Sequence, residues 1–465
     1  MSLNLTDAPS DRPRPPTCVV VAAGEGRRLS SMGLDRPKPL TRLLGLSLAE
    51  RTVAACMTAG VRHFVVVLGH RPQEVRVHFE RVAARRGCSV EFVVAPDWQL
   101  GNGVSALAAR TRVPAGPFLV VMADHLVNPS LVERVLADPP RPGEVCLAVD
   151  RDRGALFDPE DATKVALEGD RVTRIGKDVR WWQAADVGVM LCTRELFAGL
   201  ERAAEHGRYE ISDGLEVLAK QRRLRAVQVT GEHWIDVDTP AAYRYARRRL
   251  LSSLTKGGHD GFVSAYLNRR VSVRLSARLA ERSVTPNQIT VASFFVALAG
   301  AGLLALGHYP IGVLGALLVQ LSSITDGCDG EIARLKHLDT PHGAWLDTIL
   351  DRYADLAVVF AVTFAHASAV GGIRPWIGGF VAATGFLLAS YVTKEFELRH
   401  SREYPNDVLN RLRRRDLRLF GIFCGALVAH EFAAMVALGV LSHLCAVGIL
   451  LRGWRRREPV SYRAA

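Results

Sequence analysis

Four aspartates with helical spacing are the residues of this chain best suited to carry out chemistry. Asp326 and Asp329 are separated by two residues, and Asp347 and Asp351 by three. On helices, each pair would share one face. Carboxylates gathered in this way repel one another unless they share cations, and oxygen-rich clusters suit hard divalent metals such as Mg²⁺ or Mn²⁺. The spacing therefore predicts a two-metal centre that clamps a phosphate during a displacement reaction.

The residues around these aspartates follow a family pattern. The segment from Asp326 to Arg334 reads DGCDGEIAR, and Gly343 then precedes Asp347 and Asp351. This pattern resembles the signature of the CDP-alcohol phosphotransferases. The resemblance implies that a hydroxyl acceptor attacks the β-phosphate of a CDP-alcohol and that CMP leaves. The alternative is a helix pair whose acids are solvated just outside a membrane.

The same resemblance implies roles for single residues. The four aspartates hold two Mg²⁺ or Mn²⁺ ions, and Asp351 also serves as the general base. Gly330 leaves room for the nucleotide, and Arg334 neutralises a phosphate or supports the carboxylates. Among the arginines near residue 415, Arg415 is expected to bind the acceptor phosphate, although such a basic block also serves as a topology anchor.

Composition narrows the class of protein. The formal net charge is +12 and the sequence pI is about 9.6, which suits nucleic acid, anionic lipids or phosphorylated substrates. We expect no nucleic-acid partner. The eight cysteines are scattered without a CxxC pair, which favours a reduced compartment. Apolar residues are unevenly distributed, so the chain reads as soluble α/β up to about residue 250 and as membrane protein beyond about residue 288.

The first half contains a phosphate-loop pattern. Residues 18–26 read CVVVAAGEG, which is typical of a buried parallel strand that enters a glycine-rich turn. Arg28 and the Pro37-Lys38-Pro39 segment follow. Together they resemble the nucleotidyltransferases that make nucleoside-diphosphate sugars and alcohols. The resemblance implies that Arg28 and Lys38 are catalytic, because they offset the charge of the triphosphate.

The nucleotidyltransferase resemblance also implies binding residues. The nucleotide-binding set is Ala22, Ala23, Gly24, Gly26, Lys38, Gly101, Asn102 and Gly103. Asp124 ends an apolar strand and is the expected first ligand of one or two metal ions, with Asp236 or Asp238 as the second. Lys164, Glu210 and Asp213 are expected to contact the alcohol phosphate and its ring, although a lysine near a strand is often only a solvated charge.

The predicted fold is an α/β Rossmann-like nucleotidyltransferase domain followed by an all-α six-helix transmembrane domain. We predict a disordered tail at 1–16, the first domain at 17–250, a linker with an interfacial amphipathic helix at 251–285, and the membrane domain at 286–465. The predicted spans are 288–307, 310–330, 347–369, 372–394, 417–430 and 432–452. Loops on one side carry most of the Lys and Arg, which predicts a multi-pass cell-membrane protein with its first domain and both termini in the cytoplasm.

The order of the two domains resembles the bifunctional enzymes of inositol osmolyte synthesis. The resemblance implies that CTP and inositol-1-phosphate form CDP-inositol and diphosphate. A second inositol-1-phosphate then reacts with CDP-inositol to give di-myo-inositol phosphate phosphate and CMP. Membrane lipids are further expected partners, and a homodimer through the membrane domain is a family expectation.

Two other interpretations remain open at this point. The acceptor of the second reaction is alternatively a lipid or another polyol phosphate, which would make the chain a source of phospholipid or glycolipid precursors. A transporter with a nucleotide-sensing domain is the third interpretation, because acids within membrane spans also suit ion coupling. The sequence shows no inverted repeat of the kind that many transporters have.

Overall fold

The computed structural model describes residues 17–30, 35–255, 261–400 and 404–455. The chain divides into two compact units, one up to Arg248 and one from Arg249 onward. The tail predicted at 1–16 lies outside the described residues, as do residues 256–260 of the predicted linker. The first unit combines strands and helices, whereas the second is helical.

The first unit is built from strands alternating with helices. Its strands are β1 (Thr17–Ala22), β2 (Arg42–Leu43), β3 (Leu46–Ser47), β4 (His63–Leu68), β5 (Ser89–Val94), β6 (Phe118–Met122), β7 (His125–Val127), β8 (Val145–Asp150), β9 (Lys164–Glu168), β10 (Arg171–Gly176), β11 (Ala184–Cys192), β12 (Leu224–Gln228) and β13 (Trp234–Asp236). Its helices are α1 (Arg27–Ser30), α2 (Leu48–Thr58), α3 (Pro72–Arg86), α4 (Asn102–Leu107), α5 (Pro129–Leu136), α6 (Glu195–Ala204), α7 (Ile211–Lys220) and α8 (Pro240–Ser253).

The main sheet of the described residues has nine strands in the order β5-β4-β1-β6-β11-β8-β12-β10-β9. The run β5-β4-β1-β6 is parallel. Side chains alternate between two hydrophobic cores, so that Val19 and Val21 enter one core while Val20 and Ala22 enter the other. Because both faces of these strands are buried, they read in the sequence as continuous apolar runs. The loops after β1 and β6 therefore emerge side by side at one edge of the sheet.

A short ribbon of two strands brings distant parts of the first unit together. β7 pairs antiparallel with β13, and Asp236 lies opposite His125 in this register. Asp124 immediately precedes β7, and its carbonyl accepts a hydrogen bond from the backbone N–H of Val237. The ribbon therefore places the end of β13 beside the carboxyl end of β6.

The second unit begins within α8, at Arg249. A π-helical turn at Ser264–Asn268 leads into its further helices. The α-helices are α9 (Arg269–Ala280), α10 (Pro286–Ala305), α11 (Tyr309–Lys336), α12 (Pro341–Val370), α13 (Arg374–His400), α14 (Val408–Leu412), α15 (Arg415–Leu427) and α16 (Glu431–Arg455). Five of them, α10 to α13 and α16, are long and apolar enough to cross a membrane. The predicted span at 417–430 falls on α15, which has 13 residues and is therefore only about 20 Å long.

The helices that carry the aspartate pairs are held by α10, which packs against both α11 and α12. At Gly300 of α10, an added Cβ would lie 2.7 Å from the carbonyl oxygen of Gly315 on α11. Small residues permit this close approach, as is common between membrane helices. Thr340 caps the start of α12 by accepting a hydrogen bond from the N–H of Gly343. The short connection from α11 to α12 places both aspartate pairs near the same end of the two helices.

Candidate active sites

The first candidate site lies where the parallel strands β1 and β6 end. Asp124 follows β6, and the β7–β13 register brings Asp236 to the same place. Asp124, His125 and Asp236 each offer one ligand atom, and these atoms all lie within 4.8 Å of one another. In α/β proteins, the carboxyl ends of the strands are the usual location for ligands.

Lys38 joins this acidic centre from the loop after β1. Its Nζ lies 2.6 Å from Oδ2 of Asp124 and 3.2 Å from Oδ1 of Asp236. On the other side, Nδ1 of His125 lies 2.8 Å from Oδ1 of Asp124. The lysine side chain is only 12% exposed, so these interactions are well shielded from water. The structure thus gathers two carboxylates and two basic groups from three separate parts of the sequence.

The pKa values of these groups reflect their mutual charges. Burial by itself lowers the pKa of Lys38, but Asp124 and Asp236 outweigh burial and raise this pKa above its usual range. Burial raises the pKa of Asp124, yet Lys38 and His125 hold it well below its usual range. For His125, the two carboxylates overcome burial and raise the pKa to about 9. Asp124 is therefore ionised at neutral pH, and cations are strongly stabilised around it.

The donor set at this centre fits a divalent cation. The carboxylate oxygens of Asp124 and Asp236 are ligands that divalent metals prefer, and the imidazole of His125 would join them by releasing the proton that its raised pKa retains at neutral pH. The buried Lys38 ammonium shows that positive charge is favourable between the two carboxylates. Asp238 is not part of the group formed by Asp124, His125 and Asp236. Its Oδ2 is 2.7 Å from Nη2 of Arg28.

Arg28 is held beside the centre by two acids. In addition to Asp238, its Nη1 lies 2.9 Å from Oδ2 of Asp161. Its side chain remains 59% exposed, so it is open to an incoming anion. The two cations predicted for the triphosphate are therefore both near the metal-ligand group, and both are paired with carboxylates.

Gly26 permits the close approach of the phosphate loop to Lys38. Its φ angle is +79°, and an added Cβ would lie 2.5 Å from Cβ of Lys38. A side chain in this left-handed region and in this space is strained. Gly24, in the same loop, has nothing within 4 Å of an added Cβ. The two glycines therefore have different structural requirements.

We expect Gly26→Ala to destabilise the first unit by about 1–3 kcal/mol, because the backbone strain and the contact with Lys38 add together. Gly24→Ala is the matched control and should change stability by no more than about 0.5 kcal/mol. Differential scanning calorimetry of the purified protein measures both. Equal unfolding temperatures for the two variants would contradict this account of the loop.

The predicted base-binding loop is fixed by a neighbouring segment. The N–H of Gly103 donates to the carbonyl of Tyr209 at 2.8 Å, and Oδ1 of Asn102 accepts from the N–H of Ile211 at 2.6 Å. An added Cβ at Gly101 would lie 2.5 Å from the same Tyr209 oxygen. The segment predicted to bind the nucleotide and the segment predicted to bind the substrate are thus packed together.

The predicted substrate residues have structural partners of their own. Glu210 and Asp213 form a capping box at the start of α7, and Asp213 also lies 2.6 Å from Arg208. Nζ of Lys164 donates to the carbonyl of Lys177 at 2.9 Å. The described contacts of these three residues are with neighbouring backbone groups and with Arg208, not with the acidic centre. Ala22 and Ala23 are buried where β1 ends.

The second candidate site is the aspartate cluster of α11 and α12. Asp326, Asp329 and Asp347 offer atoms that all lie within 4.8 Å of one another. Hydroxyl groups of α10 support two of them, because Thr290 donates to Asp329 at 2.5 Å and Ser293 donates to Asp326 at 3.1 Å. The sequence spacing predicted that each pair shares a helix face, and the packing of α11 and α12 against α10 brings the two faces together.

A buried oxygen in this cluster lacks a hydrogen bond. Oδ1 of Asp347 is inaccessible to water and has no hydrogen-bond donor among the described residues. Buried acceptors without partners are rare, because leaving one unsatisfied is costly. A divalent cation held by the three carboxylates would satisfy this oxygen and relieve their repulsion. The residues present therefore fit a metal centre.

Asp351, the fourth predicted metal ligand, is linked to the cluster by Arg415. Nη1 of Arg415 lies 2.6 Å from Oδ1 of Asp351 and 3.1 Å from Oδ2 of Asp326. Asp351 is not in the group of three that lie within 4.8 Å. Arg334 lies over Gly330, where an added Cβ would be 3.3 Å from its Nη1. A cavity of about 740 Å³ opens beside Asp326, Asp351 and Arg415.

Some residues at both sites were not predicted. His125 has a simple sequence signal, because it directly follows Asp124 at the end of an apolar strand. Thr290 and Ser293 lie one turn apart on α10, but hydroxyl residues are common in membrane helices and give no signal alone. Asp355 continues the spacing of Asp347 and Asp351 by one further turn, which is a sequence signal for a third acid on the same helix face.

Comparison with known proteins finds a family match for each half of the chain. Residues 18–290 match the family model of the MobA-like NTP transferase domain. Residues 283–451 match the model of the CDP-alcohol phosphatidyltransferases. A solved structure of the inositol-1-phosphate CTP transferase from T. maritima covers 53% of this chain and 98% of its own, with 25% identity and a TM-score of 0.48.

The chain is therefore an enzyme that joins a nucleotidyltransferase domain to a CDP-alcohol phosphatidyltransferase domain. The five candidate spans among the described residues indicate a membrane protein. The Bifunctional IPC transferase and DIPP synthase of Rubrobacter xylanophilus is 38% identical over 441 residues, covering 94% of this chain and 97% of that protein. The protein of the same name from Aquifex aeolicus is 32% identical over 450 residues, covering 96% and 99%. This chain belongs to the family of bifunctional IPC transferases and DIPP synthases.

Proposed function

We propose that this enzyme makes CDP-inositol from CTP and inositol-1-phosphate in its first unit and consumes it in its second. In the second reaction, another inositol-1-phosphate accepts the activated group, and di-myo-inositol phosphate phosphate and CMP are formed. The observation that carries this proposal is the occurrence of two separate acidic centres in one chain, Asp124 with Asp236 and the α11–α12 aspartates. Full-length relatives named as bifunctional enzymes support it.

In the first reaction, a phosphate oxygen of inositol-1-phosphate attacks the α-phosphorus of CTP, and diphosphate leaves. The attacking oxygen is already anionic, so the main barrier is repulsion between two anions. Lys38 and Arg28 reduce this repulsion when they turn from their carboxylates toward the triphosphate. A divalent cation held by Asp124, His125 and Asp236 would add positive charge at the phosphate oxygens.

In the second reaction, a hydroxyl of the acceptor attacks the β-phosphorus of CDP-inositol, and CMP leaves. Asp351 accepts the hydroxyl proton as general base, which its carboxylate can do once Arg415 releases it. Arg415 leaves Asp351 when it binds the phosphate of the acceptor. Arg334, which lies beside Gly330, contacts the nucleotide. Two Mg²⁺ or Mn²⁺ ions bound by Asp326, Asp329 and Asp347 would neutralise charge on the diphosphate.

The membrane arrangement completes the proposal. We propose six crossings, with the short α15 as the fifth, so that both termini are cytoplasmic. Asp326 lies about 25 Å along α11 from its start, since each residue adds about 1.5 Å. Because the hydrocarbon layer is about 30 Å thick, the proposed topology has the aspartates near its cytoplasmic boundary. The same proposal has domain boundaries at 250 and 285 and treats the α9 segment as an interfacial helix. It also includes a homodimer formed through the second unit.

The cavity beside the second site suits an acceptor that carries a phosphate. Lys394, Arg413 and Arg414 line it together with Arg415, and basic side chains of this kind bind phosphate groups. Leu387 and Leu388 add an apolar part to the same lining. The full-length relatives named as DIPP synthases favour a polyol phosphate as acceptor, and a lipid acceptor is the alternative to be tested.

A reconstitution experiment tests both reactions. Purified protein in detergent is given CTP, Mg²⁺ and a panel of polyol phosphates, and the products are identified by mass. In a second assay without CTP, CDP-inositol is supplied as the donor. The acceptor is either inositol-1-phosphate or a lipid in vesicles. We expect CMP release with inositol-1-phosphate and none with the lipids. CMP release only with lipid acceptors, or no nucleotide chemistry at all, would refute the proposal.

We expect removal of divalent cations to stop both reactions. Excess EDTA should lower CDP-inositol formation and CMP release below detection, and added Mg²⁺ or Mn²⁺ should restore each, because both centres rely on charge neutralisation. The two reactions are assayed separately on the same sample, with residual metal content measured. Full activity of either reaction in a metal-free sample would contradict the metal role at that centre.

A further inference from the structure

Asp355 is a buried carboxylate next to the second site. It lies on α12 one turn beyond Asp351, and its side chain is 3% exposed. Its Oδ1 accepts a hydrogen bond from Nε of Arg415 at 2.9 Å. Its Oδ2 accepts one from Nη2 of Arg418 at 3.2 Å. A single carboxylate thus links α12 to two arginines of α15.

The two edges of the Arg415 guanidinium have different partners. Nε faces Asp355, whereas Nη1 faces Asp351 at 2.6 Å and Asp326 at 3.1 Å. A guanidinium is planar and rigid, so a partner that fixes Nε also fixes the direction of the other nitrogens. Asp355 therefore determines where the outer end of Arg415 points, and that end lies at the cavity and the aspartate cluster.

The opposite side of Asp355 is itself firmly held. Arg418 is only 2% exposed, its Nη1 donates to the carbonyl of Phe386 at 3.0 Å, and its guanidinium lies 4.5 Å from the centre of the Phe386 ring. Nη1 of Arg352 lies 3.4 Å from Oδ2 of Asp355 and donates to Ser390 at 3.0 Å. Asp355 is thus anchored by contacts that reach α13, and it presents only Oδ1 to Arg415.

The position of Arg415 at the start of α15 is electrostatically unfavourable. Arg415 is the first residue of this helix, and its N-cap, Arg414, makes no side-chain capping bond. Positive charge at a helix N-terminus is opposed by the helix dipole. Without Asp355, the remaining attraction on Arg415 would come from Asp326 and Asp351, which would draw it into the cluster.

We propose that Asp355 is a positioning residue for the second reaction: it holds Arg415 by Nε, so that the outer nitrogens can leave Asp326 and Asp351 and bind the phosphate of the acceptor. This inference rests on the proposed function. It assigns Asp355 no contact with substrate. The competing account is a purely structural ion pair, whose loss would only destabilise the fold.

The test measures CMP release by the full-length enzyme supplied with CDP-inositol, while inositol-1-phosphate is varied. Asp355→Asn should raise the KM for inositol-1-phosphate by about tenfold, the effect of one charge-assisted hydrogen bond. The KM for CDP-inositol and the rate of CDP-inositol synthesis should each stay within about twofold of the original enzyme, a change of less than 0.5 kcal/mol by the same relation. An unchanged acceptor KM would overturn the proposal.

Glu331→Gln is the matched control. Glu331 is fully buried in the same unit and pairs with Arg269 at 2.6 Å, but its described partners do not include Arg415. This variant should also lower the thermal unfolding temperature, yet leave the acceptor KM unchanged. If both variants raised the acceptor KM alike, general destabilisation would explain the result and the proposal would fail.

A double-mutant cycle separates action through Arg415 from other effects. Arg415→Lys removes the Nε donor, because lysine ends in a single ammonium. In that background, Asp355→Asn should raise the acceptor KM by less than about twofold further. Full, independent effects of the two changes would overturn the proposal. Asp355→Glu keeps the charge and should fall between the original enzyme and Asp355→Asn; if Asp355→Asn does not fold, an unchanged KM in Asp355→Glu overturns the proposal instead.

Failure of this inference is distinguishable from failure of the proposed function. An original enzyme that releases no CMP from CDP-inositol and inositol-1-phosphate refutes both. An active original enzyme whose acceptor KM is insensitive to Asp355 refutes the positioning role alone.

Discussion

Replacing Asp124 with alanine is expected to lower CDP-inositol formation by about 10³-fold and to leave the second reaction intact. Asp124 contacts both Lys38 and His125, at 2.6 and 2.8 Å. Its loss removes a proposed metal ligand and leaves two cations without their shared carboxylate. A change of this size is typical when one group that stabilises transition-state charge is removed. Two assays are compared: CDP-inositol formation from CTP, and CMP release when CDP-inositol is supplied.

Asp178→Ala is a suitable control, because Asp178 is an exposed aspartate of the same unit. It should leave both reactions within about twofold of the original enzyme, as expected for a surface change. If Asp124→Ala stopped both reactions in a protein that remained folded, the assignment of separate centres would be wrong. A normal rate of CDP-inositol formation would remove Asp124 from the site.

Replacing Asp351 with asparagine is expected to stop the second reaction and to leave the first intact, the reverse of the result expected for Asp124→Ala. CMP release from CDP-inositol and inositol-1-phosphate should fall by about 10³-fold, within the range for loss of a general base. Asparagine has nearly the same shape, so the cavity is retained while proton acceptance and the charge pair with Arg415 are lost. CDP-inositol formation should continue, and this product should therefore accumulate when CTP and inositol-1-phosphate are supplied together.

The control for this change is Asp339→Asn, an exposed aspartate between α11 and α12. It is close to the cluster in sequence but is not among the group of three carboxylates. CMP release by Asp339→Asn should match the original enzyme. Substantial CMP release by Asp351→Asn would mean that another group accepts the proton, and the general-base role would have to be reassigned.

Together, the two replacements test a division of labour between the units. Each acidic centre is assembled from residues of one unit only, Asp124 and Asp236 in the first and the α11–α12 aspartates in the second. We therefore expect a mixture of the two inactive variants to regain the overall reaction, with CDP-inositol passing between molecules through solution. No recovery in the mixture, with both variants folded, would mean that the units do not act independently.

Local sequence patterns were sufficient for much of this enzyme. The spacing of Asp326 and Asp329 predicted that they share one face of a helix, and the spacing of Asp347 and Asp351 predicted the same for a second helix. The resemblance to the CDP-alcohol phosphotransferases predicted that the two pairs meet. The continuous apolar run of β1 predicted a buried parallel strand followed by a phosphate loop. Helix length and hydropathy likewise indicated the membrane unit, with five of the six predicted spans matching helices long enough to cross. These features depend on neighbours in the sequence.

What only the tertiary structure decided depends on distant segments. The β7–β13 register puts Asp236 opposite His125, and so selects Asp236 rather than Asp238 for the group of three. The packing of α15 brings Arg415 to Asp326 and Asp351, and it buries Asp355 between two arginines. No local pattern encodes these pairings, because strand register and helix packing are set by the whole core. The sequence determined which side chains are available for chemistry, and the fold determined which of them meet.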